Sequence, residues 1–154
     1  MRSTLLSLSL LAFALLPACK STGCCTAECA PQTVVDKVAK ENPGVTRLTV
    51  HCMQDGAAVA CASTSAEKKG KPSDPEDLKA MGGETVVLDE AGAVDVTVPI
   101  LAKDGKFGGA CGVTLKLDGM TKEQAVAKAK TIAAAVDAGL GGCCDAGGSC
   151  CDTK

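Results

Sequence analysis

From residue 47 to residue 117 apolar and polar residues repeatedly alternate one by one, which is the period of strands with one buried face. In the stretch Arg47–Met53, Leu48, Val50 and Cys52 fall on one face, and Arg47, Thr49 and His51 on the other. Asp55-Gly56 is a hairpin turn signal, and a returning strand over about Ala58–Thr64 puts Val59 and Cys61 on the apolar face. Thr85–Asp89 reads as a third strand. Val94–Leu101 reads as a fourth, with Val94, Val96, Val98 and Ile100 inward. Asp104-Gly105 turns the chain into a fifth, Phe107–Leu117, with Phe107, Cys111, Val113, Leu115 and Leu117 on one side.

Three stretches break this pattern. Thr33–Glu41 groups Val34, Val35 and Val38 on one helical face, and Asn42-Pro43-Gly44 stops it. Asp74 is an N-cap signal, Pro75 suits the first helical position, Glu76 and Asp77 complement the helix dipole, and Gly82 ends the helix. Thr121 and Gln124 form a capping box ahead of a longer helix to about Ala138, with Val126, Ala129, Ile132, Ala133, Val136 and Leu140 along one stripe. The order predicts an α+β domain, an antiparallel sheet of about five strands with flanking helices. With no Trp or Tyr, its core must be made of Val, Leu, Ile, Ala and Cys. The same composition argues against binding sugars or nucleobases by stacking.

The ends of the chain differ in character from the middle. Leu5–Leu16 is a twelve-residue apolar run behind the single charge of Arg2, too short for a spanning helix. With Leu16-Pro17-Ala18-Cys19 it resembles a bacterial lipoprotein signal, which implies lipidation of Cys19 and a place in the cell envelope, lipid-anchored and extracytoplasmic. Pro17 departs from the usual residue of that box, and the alternative is an ordinary secretory signal cut nearby. The sequence thus divides into a signal peptide (1–18), a Cys-rich tether (19–30), the patterned domain (31–140) and a Gly/Cys-rich tail (141–154). Without Arg2 there are 15 basic residues against 18 acidic, a balance that gives nucleic acid no footing.

Export makes the cysteines disulfide candidates. Cys24, Cys25 and Cys29 follow the anchor, and Cys143, Cys144, Cys150 and Cys151 lie in the tail. Their spacings, Cys-Cys-x3-Cys and Cys-Cys-x5-Cys-Cys, do not match the paired Cys-x2-Cys of a zinc ribbon. Two readings stay open: disulfide staples between the flanks, or a thiolate site for a soft metal, Zn or Cu(I). In the sheet, Cys52 and Cys61 come within disulfide reach if the hairpin centres on Gly56-Ala57, and are offset by two positions if it centres on Asp55-Gly56.

Several segments together resemble the extracytoplasmic Cache family of PAS-like sensor domains. They are Asn42–Asp55, Gly70-Lys71-Pro72-Ser73-Asp74-Pro75-Glu76-Asp77-Leu78, Gly83-Glu84-Thr85-Val86-Val87, Val94-Asp95-Val96-Thr97-Val98-Pro99-Ile100, Asp104-Gly105-Lys106 and Gly108–Val113. The resemblance covers most of Val34–Leu117. It implies a small-molecule cavity between the sheet and the loop around Lys68–Ser73, where Arg47, Lys69 and Lys71 are candidates to attract an anionic ligand; a solvated basic loop is the alternative. Nucleophilic catalysis needs His beside Ser or Cys. The one His, His51, points away from Cys52 by strand alternation and reads as an outward sheet residue. The expectation is a non-enzymatic, ligand-binding or sensory envelope lipoprotein that requires no cofactor. Its partners would be the membrane, through the lipid, and a small ligand or another envelope protein.

Overall fold

The computed structural model describes residues 31–101 and 107–141. Cys19 and the seven flank cysteines, the Asp104-Gly105 turn and the Phe107 side chain lie outside the described residues.

The elements run α1 (Pro31–Glu41), β1 (Val45–Gln54), β2 (Ala57–Ser63), α2 (Pro75–Met81), β3 (Val86–Glu90), β4 (Ala93–Leu101), β5 (Phe107–Lys116) and α3 (Lys122–Leu140). All five strands pair antiparallel in the order β2-β1-β5-β4-β3. The sequence reading of the fold class holds element by element, with ends shifted by one or two residues. Helices α1 and α3 pack on one face of the sheet, and α2 on the other, against β4 and β5. The core between the sheet and α1/α3 takes Leu48, Val50 and Cys52 from β1, Val94, Val96, Val98 and Ile100 from β4, and Cys111, Val113 and Leu115 from β5. Burial pushes the Cys111 thiol up to about 12, so it stays a protonated core filler.

Two local features refine the reading. The α3 stripe begins at Ala125, fully buried, whereas Val126 only borders the core. The β1–β2 hairpin turns on Asp55 and Gly56, both with positive φ (51° and 81°), the twist that a two-residue hairpin requires. Gln54 therefore pairs with Ala57, and Cys52 faces Val59. A bulge between Val50 and His51 then takes up Cys61, whose Sγ donates to the Val50 carbonyl at 3.4 Å. Cys52 and Cys61 are consequently not apposed: turn placement offsets them, and the bulge removes Cys61 from the ladder.

The first turn of α1 meets the last turn of α3 where Val34 packs against Gly139. A Cβ on Gly139 would stand 2.7 Å from Val34 Cγ1, so glycine sets how closely the two helices approach.

Candidate functional site

The strand positions opposite the core phase are polar, and they are not solvated. Thr49, His51, Thr97 and Thr114 are all buried, because α2 and the segment leading into it cover them. That segment is held by the edge of β2. Ala60 N–H donates to the Lys71 carbonyl at 2.9 Å, Gly70 N–H to the Ala60 carbonyl at 2.8 Å, and Ser73 N–H to the Ala58 carbonyl at 2.9 Å. The pairing delivers Ser73 to the middle of β1, where its hydroxyl hydrogen-bonds His51 Nδ1 at 2.9 Å.

Helix α2 supplies the other partner. The Asp74 backbone N–H donates to Asp77 Oδ2 at 2.9 Å, the return half of a capping box. The same oxygen stands 3.4 Å from His51 Nδ1. His51 thus lies on the face that alternation assigns to it, but it is only 6% exposed; it forms an internal polar anchor for α2 instead of an outward residue.

Between the sheet and α2 is a cavity of about 220 Å³. Its floor is Thr49, His51, Thr97 and Gly112; its cations are Arg47 and Lys68; its carboxylates are Asp74, Glu76, Asp77, Glu90 and Asp95. Both cations are engaged. Arg47 donates to Glu90 Oε1 at 3.2 Å and to Asp95 Oδ2 at 3.1 Å. Lys68 donates to Asp74 Oδ2 at 2.9 Å, which holds the Asp74 carboxyl below its usual range. Asp95 Oδ1 accepts from Thr114 Oγ1 at 2.8 Å.

Of the three basic residues singled out from the sequence, Arg47 alone lines this cavity. Lys71 borders a separate open groove with Arg47, Ser65, Glu67 and Pro72, and Lys69 is exposed and lines neither. The residues that sequence reasoning passed over are His51, Ser73, Asp77, Asp95 and Thr97. Their signal was available in part: Thr49/His51, Asp95/Thr97 and Gly112/Thr114 are the off-core phase of three neighbouring strands.

A hydroxyl and a carboxylate beside an imidazole invite comparison with a catalytic triad. There the carboxylate holds one ring nitrogen and the nucleophile meets the other. Here Ser73 and Asp77 both meet Nδ1, so His51 is not placed to relay a proton from Ser73 toward Asp77. Among the described residues no set of three His, Cys, Asp or Glu side chains is placed to hold a metal ion.

Burial lowers the His51 pKa below 6.5, with Asp77, Asp74 and Asp95 opposing and Lys68 reinforcing the shift. Between the folded value and 6.5 the unfolded chain therefore binds the extra proton, and stability falls as pH drops through about 6.5. Burial shifts Asp77 the other way, above 3.8, so the folded state holds that proton more readily and further acidification partly offsets the loss. Urea unfolding is expected to show lower stability at pH 5.5 than at pH 7.5, and a flatter profile for His51→Gln. A profile that is as steep in His51→Gln would assign the pH dependence elsewhere.

No family model and no curated protein matches the chain. Among solved structures, the GAF domain of an Acinetobacter phosphoenolpyruvate-protein phosphotransferase superposes with a TM-score of 0.52, at 16% identity over 79% of this chain and 86% of that one. This is a GAF/PAS-like fold. A protein from Silicibacter sp. described as an IclR transcriptional regulator superposes with a TM-score of 0.50, at 13% identity over 75% of this chain and 68% of that one. The Escherichia coli DcuS sensor domain does so with a TM-score of 0.46, at 25% identity, over 66% and 77% of the two chains. The first two likenesses speak to architecture alone; function has to be argued from the site.

Proposed function

We propose that the chain is a non-enzymatic sensory module of the Cache type, which binds a small polar ligand between the sheet and α2 and is carried on a lipid-anchored protein of the bacterial cell envelope. The observation that carries this reading is the cavity over Thr49, His51, Thr97 and Gly112, roofed by a helix that polar contacts hold in place. At about 220 Å³ it lies below the range of about 300–1,000 Å³ for drug-sized ligands, which suits a ligand of a few heavy atoms. The shared nitrogen of Ser73 and Asp77 supports binding over acyl-transfer chemistry.

Backbone amide NMR of the full-length protein, titrated with a library of small polar compounds, tests the reading. Shifts from a binding compound are expected at His51, Thr97 and Gly112. Shifts confined to the outer side of α3 would overturn it.

The envelope location rests on the Cys19 signal. Cys19→Ser is expected to move the protein from the membrane fraction to a soluble or unprocessed form, since two or more acyl chains are what hold a protein stably on a bilayer. Normal processing and unchanged pelleting of the variant would remove the lipoprotein reading. For the flank cysteines we favour disulfide staples over a metal site. Support comes from the approach of the first turn of α1 to the last turn of α3 at Val34 and Gly139, the helix ends from which the two flanks extend in sequence. Peptide mapping without reductant is expected to find bridges between the two groups; bound Zn or Cu(I) on reduced thiols would favour the alternative.

A further inference from the structure

The anionic ligand expected from the basic loop does not suit this cavity. Its lining carries five carboxylates against two cations, and both cations already serve carboxylates of the same lining. An entering anion would have to displace Asp95 or Asp74 from its partner and would meet the remaining negative charge. A cation gains from that same field, more so at a site partly screened from water.

Charge alone does not define a site, but the floor does. Gly112 leaves a notch in the sheet. A Cβ there would stand 3.5 Å from Thr97 Oγ1 and 4.0 Å from His51 Nε2, so those two atoms flank the space above the glycine. Thr97 is 3% exposed and His51 6%. Among the described residues neither Thr97 Oγ1 nor His51 Nε2 has a hydrogen-bond partner. Among the described residues every fully buried side-chain polar atom has a partner, so these two open onto the cavity, where a ligand's donor can meet them.

The notch also has a polarity. Asp77 Oδ2, which already accepts the Asp74 N–H, stands 3.4 Å from His51 Nδ1, and a carboxylate at that distance favours the ring proton on Nδ1. Nε2 of the neutral imidazole is then a bare acceptor, and Thr97 Oγ1 can accept beside it. The notch calls for a donor with more than one N–H.

We propose that the cavity takes a small primary amine, with its ammonium group over Gly112 donating to His51 Nε2 and Thr97 Oγ1 and the surplus of cavity carboxylates balancing its charge. This deepens the binding function proposed above and rests on it.

The test uses the full-length protein and three probe sets of matched size: ethanolamine and 1,3-diaminopropane; glycolate and malonate; ethylene glycol and 1,3-propanediol. Thermal unfolding and calorimetric titration are read at pH 7.5. The amines are expected to raise Tm with concentration, and the other two sets to leave it unchanged. Gly112→Ala fills the notch at ordinary contact distances, and Thr97→Val removes the oxygen while keeping the shape; each should weaken amine binding at least tenfold while circular dichroism keeps the fold. Carboxylate binding that Gly112→Ala abolishes would overturn the amine assignment and leave the ligand-binding function standing. Amine binding that both variants leave unchanged would overturn the notch. Binding by none of the three sets would overturn both the amine assignment and the binding function.

Discussion

Leu48→Ala is expected to lower the unfolding free energy by about 2–5 kcal/mol, out of the roughly 5–15 kcal/mol that a domain of this kind possesses. Leu48 is fully buried in β1 and pairs with Val113 of β5. Its strand has a neighbour on each side, β2 and β5, and α1 and α3 close the core above it. The lattice of backbone hydrogen bonds prevents the sheet from collapsing into the space that a missing isobutyl group leaves. Large side chains are few in this core: Leu48, Ile100, Leu115 and Leu140 lead the fully buried set, followed by Val, Cys and Ala. Among the described side chains there is no Phe, Tyr or Trp to swing into the void. Leu78, half exposed on α2, provides the contrast, since surface substitutions stay within about 0.5 kcal/mol. Urea unfolding of the two variants checks this, with the midpoint and slope read separately. Equal midpoints for Leu48→Ala and Leu78→Ala would show that the core is not where the sheet register puts it.

The parts of this fold that were legible in the sequence are those that local physics decides. Strand phase in β1, β4 and β5 follows from alternation, the hairpin from Asp55-Gly56, and the ends of α2 and α3 from Asp74-Pro75 and Thr121-Gln124. Where local contrast is weak the reading slips. In α3, Ala125, Ala127 and Ala129 give little apolar difference between faces, and the first stripe position falls on Ala125 instead of Val126, while Ala129, Ile132, Ala133, Val136 and Leu140 stand as read. The bulge at Cys61 carries no glycine or turn residue to mark it. The site was less legible for a different reason. Alternation says which face His51 and Thr97 occupy, but not that a polar helix covers that face. That cover depends on the pairing of Gly70, Lys71 and Ser73 with the edge of β2, a contact between segments that each look like solvated loop. The same pairing fixes where Lys69 and Lys71 sit, which charge alone could not indicate.

Two alanine substitutions three residues apart on β5 are expected to behave in opposite ways. At Gly109, opposite Cys52 in the register, a Cβ would run into the carbonyl oxygen of His51, with the His51 carbonyl carbon 3.5 Å away. The obstacle is the backbone of the neighbouring strand, which has no rotamer to change, so Gly109→Ala must push β1 and β5 apart. Overpacking of this kind costs about 1–3 kcal/mol. The ladder bonds strained beside it add to that, so the loss should stand at the upper end of the range. The shift falls on the residue whose imidazole floors the cavity, and Gly109→Ala should disturb the His51 ring signals and its contacts with Ser73 and Asp77 together with stability. At Gly112 the nearest atoms to a Cβ are the Thr97 and His51 side chains, at 3.5 and 4.0 Å, and no left-handed backbone is involved. Gly112→Ala is therefore expected to keep stability within about 1 kcal/mol of the parent, with a small gain from the stiffer unfolded chain as the favourable limit. Urea midpoints together with the histidine ring resonances of both variants decide the matter. A Gly109→Ala protein as stable as the parent, or a Gly112→Ala protein as damaged as Gly109→Ala, would mean that the β1–β5 pairing differs from Cys52↔Gly109, and the notch would then have to be sought at another residue.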